Sequence, residues 1–321
     1  MIDFRYHVIS IVAIFLALAT GIALGAGPLG SRLSDGLVGQ FNRSNEKVEE
    51  QRVQLTEAEA VQDFNEAFAN GVDTRVLEGL LTGSQVTVFT LPEADNRSVE
   101  RVVDALQMSG AQLVAEVAVS PALLDPANRT TAENLSKQVL SDVEGVPTVD
   151  EVGSYEVVGY AIAYGLLATA RAGTSVDNSA QEIQSAFETA DYLTYEGEIT
   201  RRGGLAVVVA GEPDPETDVA AGEILTALMG SMDAISGGVV LAGPLSSAVE
   251  GGPVRALRDS DVGEAVSSVD MVDTPAGQVI TAIALAEQAA GDGGHYGIGE
   301  AADQVVPEIP TAAPVAALPS E

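Results

Sequence analysis

Leu205–Gly211 reads LAVVVAG, and Gly237–Gly243 reads GGVVLAG. Six of the seven residues in the first run are apolar. A strand with one wet face alternates apolar and polar residues, whereas a continuous apolar run suits a strand covered on both faces. Thr217–Met232, between the two runs, has the spacing of a helix. Strand, crossover helix and strand make a parallel pair, and such pairs build a sheet with helices on its faces.

The same alternation extends in both directions. Upstream, QVTVFTL from Gln85 is a β-rich run stopped by Pro92. Asn96–Met108 is amphipathic, with Val99, Val102, Val103 and Leu106 on one side and Gly110 behind it. QLVAEVAV, Gln112–Val119, is a further strand. Helices are expected over 128–140, with Thr130 or Thr131 near the cap, and over 179–192. Ser154–Arg171 is a long apolar helical pattern holding Glu156, Gly159 and Gly165. Its uncharged run is short for a bilayer, so a buried helix is expected in preference to a second span. Downstream come a helical turn near 254–258, a strand near 267–272 and a last helix to Ala289, opened by Thr274 and Pro275. The expected fold class is therefore α/β, a layered domain with a mainly parallel sheet over residues 84–290. Residues 291–321, rich in Gly, Pro and Ala, read as a disordered tail.

At the other end, Val8–Ala26 is VISIVAIFLALATGIALGA, without a charge. At about 1.5 Å per residue it is long enough for a hydrocarbon core of about 30 Å. A transmembrane anchor over 8–26 is expected, with a cleavable signal peptide as the other reading. Ala17, Gly21 and Gly25 recur every fourth residue, a spacing that lets another membrane helix come close. Residues 1–7 form a short head, expected to be cytoplasmic, and 27–36 a linker. Over 37–70, Leu37, Phe41, Val48 and Leu55 fit a seven-residue seam among charged residues. This is a short coiled-coil stalk or a single amphipathic helix. The formal charge of −32, almost all after the span, and the lack of Cys place the main domain outside the cytoplasm, at a cell membrane crossed once.

That charge argues against nucleic acid as a partner, because phosphates would be repelled. Soft metal ligands are few: no Cys, two His and five Met. Met229 and Met232 could share a helix face and hold a soft metal ion weakly, although filling a gap in the core is the more ordinary use. Glu212, Asp214, Glu216 and Asp218 follow a strand, where α/β proteins often bind ligands, and could bind a hard cation; lacking calcium-loop spacing, they read better as a helix-capping turn. Arg201-Arg202 is a basic pair in an acidic chain. No phosphate loop or nucleophile elbow is present, and a Ser-His-acid triad would need His295, in the tail. No catalytic, cofactor-binding or metal residue is assigned, and the chain reads as a protein that is not an enzyme.

The anchor carries Arg5-x-His7-x-x-Ser10-x-x-Ala13-x-Phe15-x-Ala17-Leu18-Ala19-x-Gly21-x-x-x-Gly25. This pattern resembles the actinobacterial family named after mycobacterial copper transport protein B (MctB), as does the layout of span, coiled coil, α/β domain and loose tail. Corynebacterial members include SteB-type proteins of cell separation. The resemblance implies one of two roles. The first is a non-enzymatic envelope scaffold in cell separation and peptidoglycan remodelling. It would be a homo-oligomer, partnered by a SteA-like companion and a peptidoglycan hydrolase or its coiled coil. The second is a copper transport or efflux component, with the outer mycolate membrane as an alternative location. Copper enters through the resemblance alone. The thin seam and the lack of a recognisable active site favour the scaffold in the sequence.

Overall fold

The computed structural model describes residues 4–25, 47–49, 51–56, 60, 62–69, 71, 75–141, 143, 152–213 and 218–310. The chain divides into two units, residues 1–64 and 65–321.

In the first unit, α1 (Phe4–Gly25) is a continuous helix with a mean hydropathy of 2.5 over its most apolar window. Its 22 residues span about 33 Å at the usual helical rise, enough to cross a membrane. The helix begins earlier than the apolar run because Phe4–His7 hold no helix breaker. Residues 47–49 and 51–56 are helical, with Val48, Val53 and Leu55 exposed. Leu37 and Phe41 of the expected seam, and the linker 27–36, lie outside the described residues.

The second unit is a three-layer α/β sandwich. Its elements are β1 (Gln85–Thr90), α2 (Asn96–Met108), β2 (Gln112–Val119), α3 (Pro121–Leu124), α4 (Arg129–Leu140), α5 (Ser154–Leu166), β3 (Thr174–Ser175), α6 (Asn178–Thr189), β4 (Leu193–Tyr195), β5 (Arg201–Arg202), β6 (Leu205–Val209), α7 (Asp218–Ile235), β7 (Val239–Ala242), α8 (Pro253–Arg258), β8 (Ser267–Val269), α9 (Pro275–Ala290) and β9 (His295–Tyr296). The seven-stranded sheet runs β4-β2-β1-β6-β7-β8-β9. All its pairings are parallel except β2 with β4. The strands β2-β1-β6-β7-β8 have the 2-1-3-4-5 order of doubly wound folds.

The apolar runs occupy the middle of the sheet, and each face takes alternate residues. Leu205, Val207 and Val209 pack with Val102, Leu106, Ala282 and Leu285, from α2 and α9. Ala206 and Val208 join Ile162, Phe187 and Leu228, from α5, α6 and α7, on the other face. The α5 helix lies in this second layer, with Val158, Ala161, Ile162 and Leu166 buried. That accounts for its apolar sequence without a second span. It ends at Leu166 and not near Arg171, because Leu167 turns extended and pairs with Gly203.

Caps follow the residue types. Asp95 accepts the Ser98 N–H at 2.9 Å, and Thr274 accepts the Gly277 N–H at 3.1 Å. Helix α4 lies where the sequence places it. It is continuous from Arg129, so Thr130 and Thr131 lie inside its first turn. One correction concerns the tail. Residues 291–310 do not leave the domain, since His295–Tyr296 form the buried seventh strand. Ser268 donates its N–H to Gly294 O at 3.1 Å, and Asp270 donates to Tyr296 O at 3.1 Å. These bonds give a Gly-rich segment the order that its apolar content alone would not.

Candidate functional site

Doubly wound sheets bind ligands beyond the carboxyl ends of strands where the chain's winding reverses. Here that point lies between β1 and β6. From β1 the chain crosses by α2, on one face, to β2; from β6 it crosses by α7, on the other face, to β7. The two connections part and leave a crevice of about 590 Å³.

Four loop regions build it. Leu91, Pro92 and Glu93 follow β1; Pro121, Leu124, Asp125 and Pro126 follow β2. Ala210–Pro213 follow β6, and Ala220, Ala221, Gly222 and Leu225 come from the first turns of α7. Pro253, opening α8, closes the far side. Five prolines stiffen the wall and offer no N–H donors. Glu93 has φ 61°, a left-handed backbone that is uncommon outside Gly. Its carbonyl carbon would lie 2.1 Å from a Cβ at Gly211, so the floor closes only because residue 211 has no side chain.

The lining is mostly apolar, and its charged members are all carboxylates: Glu93, Asp125 and Glu212. Asp125 accepts the Ala127 N–H at 2.8 Å, and Glu93 and Glu212 are exposed. Of the sequence's acidic group, Glu212 alone has a described side chain; Asp214 and Glu216 lie outside the described residues.

A second hollow, of about 490 Å³, lies at the amino ends of β8 and β9. It is polar, and a buried network backs it. Arg258 Nη2 donates to Asp270 Oδ2 at 3.1 Å, and Arg258 Nε donates to Ser268 Oγ at 2.9 Å. Ser268 Oγ lies 3.0 Å from His295 Nδ1. Ser268 Oγ accepts from Arg258 and keeps its own proton, which it can donate to Nδ1. Burial, with the Arg258 charge next to it, holds the His295 pKa below its usual value.

Among the described residues, no three His, Cys, Asp or Glu stand together in a way that could hold a metal ion. Met229 and Met232 are buried in the core beneath α7. Arg201 and Arg202 are not a free basic patch. Arg201 Nε donates to Gln85 Oε1 at 2.7 Å, while Arg202 pairs with Asp177 at 3.3 Å and stacks 5.2 Å from the Tyr164 ring centre.

With one apolar helix and a doubly wound domain in place, the comparisons decide the kinship. The family profile described as copper transport outer membrane protein, MctB, matches residues 1–307. The chain belongs to the MctB family. It is 27% identical over 318 residues to the copper transporter MctB of Mycobacterium tuberculosis and to that of Mycobacterium bovis, covering 95% of this chain and 99% of each relative. The Mycobacterium leprae protein of the same name is 26% identical over the same span.

The MctB-family motif lies on α1, where the spacing of Ala17, Gly21 and Gly25 puts them along one side of the helix. Among the described residues, a Cβ at Gly21 or Gly25 would meet nothing beyond its own helix backbone and chain neighbours within 4 Å. Val48 and Leu55 are exposed. None of these residues lies near the crevice in sequence. Of the crevice residues, the sequence singles out Glu212, just after an apolar strand; the others come from separate loops. The one signal for them was the pair of apolar strands, which fixes where a doubly wound sheet opens.

Proposed function

We propose that this MctB-family chain is a membrane-tethered, non-enzymatic component of copper transport. Its α/β domain lies on the extracytoplasmic side and works by docking other molecules at its carboxyl-edge crevice. The observation that carries this reading is the reach of the family match, residues 1–307, which takes anchor and domain together. Copper is cargo in this reading. A docking role suits the domain because the chain has no Cys and its paired Met229 and Met232 are buried. The sheet itself is open, with β4 and β9 at its edges and helices on both faces, which suits a docking body better than a lumen wall.

The test is deletion of the gene, followed by growth over a copper series and measurement of cell copper. Increased copper sensitivity, restored by the whole chain and not by a chain lacking α1, supports the reading. Unchanged copper tolerance overturns it.

A second reading is an envelope scaffold for cell separation, joined to a SteA-like companion and a peptidoglycan hydrolase. The exposed apolar residues Val48, Val53 and Leu55 favour it, because such a helix can accept a partner helix. Self-association of α1 through Ala17, Gly21 and Gly25 fits either reading. Unseparated cells with normal copper tolerance would support the scaffold.

A further inference from the structure

The apolar wall of the crevice and its carboxylate rim point to one kind of occupant. We propose that it takes an apolar peptide segment of a partner protein that carries a cationic side chain. This rests on the docking role proposed above and names its chemistry.

The wall supplies contact area and few hydrogen-bond donors, so an apolar segment loses little on entering. The segment that leads from β7 to Pro253 exposes Leu245 and Val249, at the same edge of the sheet. Exposed apolar residues on more than one loop of the same sheet edge suit a peptide better than a compact small molecule.

Charge selects among peptides. Glu93, Asp125 and Glu212 line the crevice without a basic neighbour in the lining, and none of them is in an ion pair among the described residues. Arg255, two residues beyond Pro253, is already paired with Asp259 at 2.6 Å and Glu300 at 2.8 Å. The rim therefore keeps its negative charge for an incoming group. A second copy of this chain brings a formal charge of −32, and residues 311–321, whose one charged side chain is Glu321, bring no cation. Like charges meeting at an interface disfavour both.

The experiment uses the full chain in nanodiscs of zwitterionic lipid, with empty nanodiscs as the blank. The probe is a short labelled peptide of Leu, Ala and Arg, read by fluorescence polarisation. Matched peptides carry Glu in place of Arg, or Ser in place of Leu. Saturable binding of the Arg/Leu peptide alone supports the proposal, as does its loss by about tenfold or more in Ala221→Trp, a difference easily resolved. The paired variant Asp125→Asn/Glu212→Gln should weaken binding several-fold and reduce its salt dependence. It leaves the wall intact, so it serves if Ala221→Trp does not fold.

The control pair Glu100→Gln/Asp104→Asn removes two exposed charges from α2. Equal weakening by that pair means attraction to any acidic surface and overturns the proposal. Equal binding of the Glu peptide, unchanged binding in Ala221→Trp, displacement by a peptide of residues 311–321, or dimerisation that blocks the probe also overturns it. Copper tolerance is read separately. Absent binding with a copper-sensitive deletion strain removes this inference alone. Binding lost in Ala221→Trp with full copper tolerance keeps the crevice and removes its place in copper transport.

Discussion

Arg258 and Asp270 meet at 3.1 Å with both side chains fully buried. Asp270 also accepts the N–H groups of Ile298 and Gly299, each at 2.9 Å. Arg258 donates to the carbonyls of Tyr296 and Glu300, each at 2.9 Å. The pair thus ties α8 and β8 to the segment that carries β9. It leaves no room near Gly297, where a Cβ would lie 2.0 Å from Asp270 Oδ1 and φ is +126°.

Removing one partner strands a buried charge together with the N–H groups it served. Asp270→Ala should cost about 3–5 kcal/mol of stability, the usual result of breaking a buried pair. Arg258→Met/Asp270→Asn should cost less than the sum of the single changes, because neither charge is left alone. Urea unfolding followed by circular dichroism checks both statements.

His295 makes the same region sensitive to acid. Burial, then the neighbouring Arg258 charge, lower its pKa in the folded chain. The unfolded chain therefore binds the proton more readily, and stability rises with pH. The contribution is complete above about 6.5, the ordinary histidine value, and is lost as pH falls through the lower folded value. Thermal midpoints measured from neutral to mildly acidic pH should fall less steeply in His295→Asn than in the unaltered chain. Parallel curves would remove this assignment.

Much of this fold could be read from the sequence. The ranges of β1, α2 and β2 follow from runs of regular periodicity bounded by Pro92 and Gly110. What escaped has a shared physical cause. β3, β5 and β9 are two residues long, too short for any period to show. β9 is held by its pairing with β8 and by Asp270 and Arg258, all distant in sequence, with Tyr296 its one side chain in the apolar core. The crevice is similar: Pro92, Pro126, Pro213 and Pro253 are far apart in the sequence, and the sheet brings them together. The family motif, in contrast, lies on α1 and says nothing about the crevice.

Gly159 marks the closest approach of α5 and α7. A Cβ there would lie 2.7 Å from Ser231 Cβ, 2.8 Å from Leu228 O and 2.9 Å from Leu228 Cα. Two of those atoms are backbone and cannot swing aside. Ala at this position would gain up to about 1 kcal/mol in helix propensity, against about 1–3 kcal/mol for overpacking. The overpacking wins, so Gly159→Ala should be destabilised by about 1–2 kcal/mol, and Gly159→Val by more. A midpoint of urea unfolding equal to or above that of the unaltered chain would contradict the tight crossing.

The placement of the domain across the membrane can be tested because the sequence has no Cys. Any thiol label then reports an introduced residue alone. Ser185 is exposed on α6, and Arg5 is exposed at the start of α1. The formal charge of −32 lies almost wholly beyond the span, and a large acidic domain free of thiols suits the side away from the reducing cytoplasm. In spheroplasts, a membrane-impermeant maleimide should label Ser185→Cys fully and Arg5→Cys only after lysis. The inverse pattern would put the domain inside. Labelling of both before lysis would mean that α1 does not cross the bilayer. Carbonate extraction of the same cells gives an independent check, since a crossing helix stays with the membrane. Ile14→Arg, which puts a charge near the middle of α1 at a cost of about 2.5–3.5 kcal/mol, should release part of the chain.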